Sequence, residues 1–400
     1  MLKFILCLLF TALFSLHANN TKVLNLQPSF NDLLLKIRTE ALSKGISEKT
    51  IDEALNNIVI DEKVLENFLN QAEFILNFWS YTNSRVNDYR ITKGKEAWLE
   101  NKEILKKIFD EYGVNPAILV AFWGLETNYS RNFGNLNAIR SLVTLSFNQR
   151  RSEFFFNELI ILLKLIDEGK IPLEVKGSWA GALGSMQFLP SNIMQYGIDK
   201  NNDNKIDLWN NKEDIFASAS NFLLSIGWNK GERWGREVTI PKRFDYKLSG
   251  LKIKKSINEW SLIGIKNAKG EDLPKSEIKA SLLMPMGHKG PAFLVYNNFH
   301  TILKWNNSIL YALSVGYLSD ILINSVKLTS KPIIEPSLSK EDVLFIQTKL
   351  NHLGFDSGEP DGISGPKTRG ATRSYQKNNN LPVDGYVGYE LLQRFKNLEQ

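Results

Sequence analysis

One acidic residue in this chain sits where a carboxyl could be made to trade a proton. Asn115 followed by Pro116 is a strong helix start, with an amide side chain as cap and proline at the first helical position. On a 3.6-residue wheel Ile118, Phe122, Leu125 and Tyr129 then form the apolar stripe, and Glu126 falls beside it, between Phe122 and Leu119. A carboxyl set against hydrocarbon is desolvated, which disfavours its charged form and raises its pKa. It would hold its proton near neutrality and could act as a general acid. The same wheel position also suits an ordinary glutamate at a helix edge, because perturbed carboxyls are the minority.

Two other segments carry polar groups at telling spacing. In GSWAGALGSMQFLPS at 177–191, Gly177, Gly181 and Gly184 clear side chains from a path a ligand could take along the backbone, and Ser178 and Gln187 can offer hydrogen bonds there. A tight helix crossing would use small residues in the same way. In DKNNDNKIDLWN at 199–210, Asp199, Asn201, Asp203 and Asp207 occupy loop positions one, three, five and nine, and Lys205 can add a backbone carbonyl at seven. That pattern resembles an EF-hand calcium loop. Asn204 replaces the turn glycine and Asn210 the closing bidentate carboxylate, so the affinity expected is low. Any calcium would be structural, and no cofactor is required for catalysis. The histidines, His17, His288, His300 and His352, show no HExxH spacing, and the single cysteine, Cys7, offers neither a disulfide nor a thiol nucleophile to a processed chain.

These residues need a scaffold, and the patterning supplies one. A chain of 400 residues exceeds one ordinary domain, and 43% apolar with 23% charged residues is a globular balance. Its Trp, Tyr and Phe suit a core or flat binding faces equally well. From Gln27 to about Ile226 apolar residues recur at helical spacing, as in Val64, Phe68, Ala72 and Ile75, with Ser47 capping a helix that carries Ile51 and Ala54. Between Arg233 and Tyr296 the pattern turns β-like, at 237–241, 280–286 and 292–296. Helical spacing then returns from Phe299 to about Leu328, which makes the sheet an insertion in a helical body. Residues 329–340, with Pro332 and Pro336, read as a semi-extended linker. The unit at 341–398 has internal symmetry: DGISG at 361–365 is echoed by DGYVG at 384–388. Each Asp is expected to cap the following helix while its Gly takes a left-handed turn.

At the N-terminus Lys3 precedes an apolar run from Phe4 to Leu16, too short to span a bilayer comfortably. Residues 1–18 read as a secretory signal cleaved after Ala18, or as an anchor if uncleaved. The formal charge of +6 favours an acidic partner. Lys and Arg are scattered without a basic stripe, so no nucleic acid is expected.

Taken in order, WGLETNYSRNFG at 123–134, SLVTLSF at 141–147, the arginines at 150–151, the phenylalanines at 154–155, the Gly-rich run, DLW at 207–209, IGW at 226–228 and NNFHTILKWNNSILYALSVGYLSD at 297–320 resemble the lytic murein transglycosylases of the B type. The resemblance covers roughly residues 28–326. It implies a lysozyme-like catalytic module within an α+β, mainly helical chain. It implies cleavage of the MurNAc-GlcNAc β-1,4 bond of peptidoglycan with formation of 1,6-anhydroMurNAc, Glu126 acting first as acid and then as base. Ser178, Gln187, Trp305, Asn306 and Tyr311 would bind substrate. Trp305 stands where a Tyr is commoner; its indole can stack on a sugar but cannot accept a hydrogen bond. Phe222 likewise stands at an aromatic position of the family. A hydrolytic muramidase is the alternative, and would need a second carboxylate such as Asp207 or Asp214 across the cleft. A catalytically silent wall-binding scaffold is another.

Residues 341–398 resemble a small all-α peptidoglycan-binding domain, through Gln347, Leu350, Leu353, Gly354, Phe355, PDGISGPKT at 360–368, Tyr375, Gln376 and VDG at 383–385. Tethering such a unit would raise the effective concentration of wall substrate. The expectations are therefore a monomeric enzyme in the periplasm, held at the inner membrane if the signal is uncleaved, with peptidoglycan glycan strands and other cell-wall enzymes as partners.

Overall fold

The computed structural model describes residues 29–69, 76–147, 151–325 and 327–398. The signal segment 1–18, with Cys7 and His17, lies outside the described residues, as do Ala72 and Ile75. Among the described residues no helix is long and apolar enough to cross a membrane.

The helical body is assembled around one buried helix, Pro116–Thr127, whose start is the one the sequence announces. The Asn115 side chain accepts from the Ala117 N–H, and Pro116 occupies the first turn. The wheel reading of this helix needs correction. It is not a surface helix with one apolar stripe, because every residue from Ala117 to Leu125 is buried, and Thr127 with them. Helices Asp88–Glu100, Lys102–Tyr112, Lys212–Ser225 and Ile309–Asn324 pack around it. A helix apolar on all sides belongs inside a protein, where wheel position carries no information about exposure. Tyr129 also falls outside the helix. Gly124 leaves room for it to fold back, since a Cβ there would lie 2.5 Å from its hydroxyl, and that hydroxyl donates to the Arg90 carbonyl at 2.8 Å.

Two antiparallel sheets interrupt the helices. Strands β1, Leu136–Asn137, and β2, Lys176–Gly177, pair as a short ribbon. Strands β3, Gly235–Thr239, β4, Lys255–Ser256, β5, Lys266–Asn267, β6, Lys279–Leu283, and β7, Ala292–Val295, form a second sheet in the order β4-β6-β7-β3-β5. Its registers include Val238↔Ala292 and Leu283↔Phe293. β3 and β6 stop short of Pro241 and Pro285, residues that cannot donate to a ladder. The alternation of β7 serves two cores. Ala292 and Leu294 face the sheet's own cluster around fully buried Trp260, and Phe293 and Val295 face the helical body. The Trp260 indole N–H is satisfied by the Ala280 carbonyl at 2.9 Å, so truncation to Ala would cost about 3–5 kcal/mol.

Three helices, Lys340–His352, Pro366–Asn378 and Tyr389–Asn397, form the C-terminal unit around Ile346, Leu350, Tyr375 and Phe395. Gly362 and Gly385 take the left-handed turn expected of them, at φ +75° and +72°. The aspartates do not cap the following helices; Gly365 and Gly388 hold those positions without side-chain bonds. Each Asp instead closes a loop with a buried glutamine. Asp361 Oδ1 accepts from Gln347 Nε2 and the Ile363 N–H, while Gln347 Oε1 accepts from the Gly362 N–H. Asp384 Oδ1 accepts from Gln376 Nε2 and the Tyr386 N–H, and Gln376 Oε1 accepts from the Gly385 N–H. A turn two residues tight suits the short Asp side chain better than reaching on to a helix that starts later.

Residues 329–339 are extended between the units, but they are not a loose spacer. The Glu237 carboxylate accepts from the Thr329 and Ser330 N–H groups, the Asn77 side chain donates to the Glu335 carbonyl, and Glu335 in turn accepts from the Tyr389 N–H. The C-terminal unit itself is docked. Asp384 Oδ2 accepts from the His288 N–H and meets its Nδ1 at 2.8 Å, Lys289 pairs with Glu390 at 2.6 Å, and Arg373 donates to the Ser249 hydroxyl at 3.1 Å. Pro spacing alone could not foretell these partners, because they come from the inserted sheet region and from the helical body at Asn77.

Candidate active site

Glu126 is the single residue from Ala117 to Thr127 that is only partly buried. Its Oε1 accepts from the Trp305 indole N–H at 3.0 Å and from the Tyr311 hydroxyl. Tyr311 comes from the first turn of Ile309–Asn324, a helix capped by Ser308, whose Oγ accepts from the Tyr311 N–H. Burial, and then the adjacent Glu126 charge, push the Tyr311 phenol well above its ordinary value, so it remains a donor at any working pH. Trp305 ends the helix Asn297–Trp305 and is wedged among Phe122, Phe188 and Phe222, with ring centroids 4.4, 5.2 and 5.0 Å away. The indole's inability to accept a hydrogen bond is no handicap here, since the carboxylate needs a donor. Phe222 is thus part of the aromatic packing that holds Trp305. Asn306 caps the Trp305 helix with extended backbone, and its side chain makes no hydrogen bond among the described residues.

The Gly-rich segment lies against the end of the Glu126 helix. Ser178 Oγ accepts from the Ala180 and Ala182 N–H groups, so its own proton is left to donate. Gln187 adopts φ +49°, and its Nε2 donates to the Phe133 and Gly184 carbonyls, which leaves its Oε1 as the acceptor for a ligand. Gly184, at φ +70°, lets the Leu208 carbonyl approach within 2.8 Å of where a Cβ would stand. Gly134 is required in the same way, because a Cβ there would run into the Gly177 carbonyl. Ser178, Gln187 and the Glu126 helix thus share one wall, while Trp305 and Tyr311 arrive from the opposite end of the module's sequence.

Sequence reasoning gave no role to the hydroxyls behind this wall. Thr127 Oγ1 donates to the Ser185 carbonyl at 2.7 Å, Ser130 and Ser185 share a hydrogen bond of 2.6 Å, and Ser185 is wholly buried. The only advance signal was that a serine stands immediately after the glycine of a run otherwise read for its small residues.

The acidic loop is folded on itself. Asp199 accepts from the Asp203 and Asn204 N–H groups, Asp203 from Lys205, and Asp207 from Trp209 and Asn210. Asn204, at φ +68°, takes the left-handed turn of the missing glycine. Asn210 turns its amide nitrogen toward Asp207 Oδ2 at 3.2 Å, the reverse of a closing carboxylate. Among the described residues no group of three or more His, Cys, Asp or Glu converges to hold a metal. Burial would raise Asp207, but the Asn210 and Trp209 N–H groups hold it below its ordinary value. Asp214 is wholly buried and raised by that burial, its two oxygens accepting from the Lys200 and Asp207 N–H groups. Both aspartates are thus committed to the loop's backbone, a poor posture for the second carboxylate of a hydrolase.

The family model described as Transglycosylase SLT domain matches residues 29–320, and a peptidoglycan binding domain model matches residues 339–395. The membrane-bound lytic murein transglycosylase B of Escherichia coli (strain K12) is 32% identical over 245 residues, spanning 60% of this chain and 65% of that protein, just under two thirds of its length. SltB3 from Pseudomonas aeruginosa, solved in complex with NAG-anhNAM-pentapeptide, superposes with a TM-score of 0.87 at 39% identity, covering 92% of this chain and 99% of that one. The Escherichia coli lytic transglycosylase Slt35, solved in complex with calcium, gives a TM-score of 0.63 at 29% identity, covering 73% of this chain and 93% of that one. The helical body with its inserted sheet therefore has the lysozyme-like fold of these structures, and the chain belongs to the SLT family of lytic transglycosylases, with a peptidoglycan-binding domain at its C-terminal end.

Proposed function

We propose that this protein cleaves the MurNAc-GlcNAc β-1,4 bond of peptidoglycan as a lytic transglycosylase, with Glu126 as its acid and base. The observation that carries the reading is the pair of ring donors on one oxygen of Glu126. With Oε1 fixed by Trp305 and Tyr311, the proton to be given is carried on Oε2. Glu126 protonates the glycosidic oxygen as the bond to C1 of the muramoyl residue breaks. The resulting carboxylate accepts the C6 hydroxyl proton as that oxygen closes on C1. The 1,6-anhydro ring forms, the carboxyl is restored, and no water is consumed. Both ring donors favour the carboxylate midway through the cycle, which is where stabilisation accelerates the reaction. The Pseudomonas relative, held with an anhydromuramoyl fragment, supports this substrate class.

Ser178 and Gln187, as donor and acceptor on the wall shared with the Glu126 helix, bind hydroxyl or acetamido groups of the glycan. The docked C-terminal unit binds the wall, and the protein acts as an exported, periplasmic monomer. The loop at 199–210 takes calcium weakly through Asp199, Asn201, Asp203, Asp207 and the Lys205 carbonyl. In the absence of a closing carboxylate it would supply stability and no chemistry. The calcium-bound Escherichia coli structure supports that assignment.

Digestion of purified sacculi followed by mass analysis tests the reaction. Products lighter by one water than the corresponding reducing muropeptides are expected. Reducing ends alone would make the protein a muramidase, and no soluble product at all would make it a scaffold.

A further inference from the structure

Behind Glu126 runs a chain of hydrogen bonds whose direction is forced by its ends. The Trp123 indole N–H, which can only donate, reaches Ser130 Oγ at 2.7 Å, and Ser185 Oγ reaches the Trp209 carbonyl, which can only accept, at 3.2 Å. The Ser130 hydroxyl must therefore donate to Ser185 across their 2.6 Å contact. Hydrogen bonds aligned in one direction polarise and strengthen one another. The thread starts one turn before Glu126 on its own helix and ends on the segment that closes the acidic loop. A second tie runs beside it: Thr127 Oγ1 accepts from the Ser130 N–H at 3.1 Å and donates to the Ser185 carbonyl.

The backbone is bent to make this possible. Asn128, Tyr129 and Ser130 stand at φ +52°, +61° and +64°, three consecutive non-glycine residues in the left-handed region. That conformation is normally visited by single residues, and it persists only where the surroundings over-determine it. A glycine at 130 would adopt the turn without penalty. The serine keeps its strained backbone and supplies the hydroxyl that joins Trp123 to Ser185.

We propose that Ser130 and Ser185 are positioning residues, which fix the last turn of the Glu126 helix against the Gly-rich substrate wall. This rests on the assignment of Glu126 as the acid and base. The two ring donors hold the carboxyl from the front, and the hydroxyl thread holds its helix from behind. Ser185 is wholly buried and both hydroxyls are engaged in the thread, so their loss should change turnover and leave KM nearly unaltered.

Ser130→Ala, Ser130→Gly and Ser185→Ala are compared with the full chain on soluble glycan fragments, measuring kcat, KM and melting temperature. Both Ser130 variants are expected to lose on the order of ten- to a hundredfold in kcat. Their stabilities should part company: Ala keeps the strained backbone and melts lower, while Gly relieves it and melts at or above the parent. The Ser130→Ala, Ser185→Ala double variant should lose no more than the worse single one, because either change breaks the same thread. If kcat instead follows melting temperature, so that Ser130→Gly turns over like the parent, the hydroxyl thread has no positioning role. Should Ser185→Ala fail to fold, the two Ser130 variants decide the matter alone. A parent chain that releases no anhydro product would overturn the assigned reaction and this role together, whereas an active parent with fully active variants would overturn only this role.

Discussion

Glu126 and Asp384 are each held by side chains distant in sequence, and they are built for opposite purposes. Glu126 meets two rings, whose N–H and O–H point at a single oxygen, amid phenylalanines. Asp384 is saturated: one oxygen takes Gln376 and the Tyr386 N–H, the other takes both the backbone N–H and the imidazole of His288. Burial would raise Asp384, but these donors hold it below its ordinary value. A carboxyl that must lose and regain a proton is given neutral ring donors that fix one of its oxygens. A carboxyl that must hold two units together is given donors all round, so that its charge is locked.

The sharpest way to break the contrast is Glu126→Gln. The amide keeps shape and can still meet the rings, yet it cannot give and recover a proton, so release of muropeptides should fall about a thousandfold or more. Sedimentation with sacculi should be unchanged. Appreciable turnover would move the chemistry to another residue.

Tyr311→Phe comes next. It keeps the ring beside Phe122 and removes one donor from Oε1. A loss of about a hundredfold in kcat is expected, with KM little changed. A change confined to KM would recast Tyr311 as a sugar contact.

Asp384→Asn probes the other carboxylate. Losing charge-assisted bonds inside a docked interface should cost about 2 kcal/mol, read as a lower melting temperature or earlier proteolysis within 329–339. The interface also has a pH sign. Asp384 and Glu390 are both held below their ordinary values, with Lys289 and Arg373 as the facing or adjacent cations and His288 hydrogen-bonded to Asp384. Groups with lowered folded values contribute their full stability above the ordinary carboxylate range, about pH 4, and lose it as pH falls through the lowered values. The C-terminal unit should therefore stay docked at neutral pH and loosen in acid, while Asp384→Asn flattens that dependence. Equal acid sensitivity in parent and variant would place the sensitive group elsewhere.

Calcium should have the smallest effect. With Asn210 in the closing position, several millimolar calcium should add about 1 kcal/mol and raise the melting temperature by ~2–4 °C. Asp199→Ala should abolish the rise without altering kcat. A flat response in the parent would make 199–210 a purely hydrogen-bonded loop.

Local chemistry settled a good deal in advance. Asn115 and Pro116 start the central helix, Ser47 caps its own, and Asn204 turns left-handed where a glycine was missing. Each outcome depends on neighbours within about one helical turn, which a sequence displays directly. Family motifs extended this reach to Glu126 as acid and base and to Trp305 and Tyr311 as members of the same cleft, but not to the hydrogen bonds by which the two rings hold the carboxyl. Trp305 and Tyr311 lie 179 and 185 residues from the carboxylate they hold, Ser185 lies 55 from Ser130, and Asp384 lies 96 from His288. Those pairings exist only because the central helix is enclosed on every side and the inserted sheet presents His288 to the last unit. A hydrogen bond is decided by distance and direction in space, so which donor meets which acceptor is fixed only when the chain has packed.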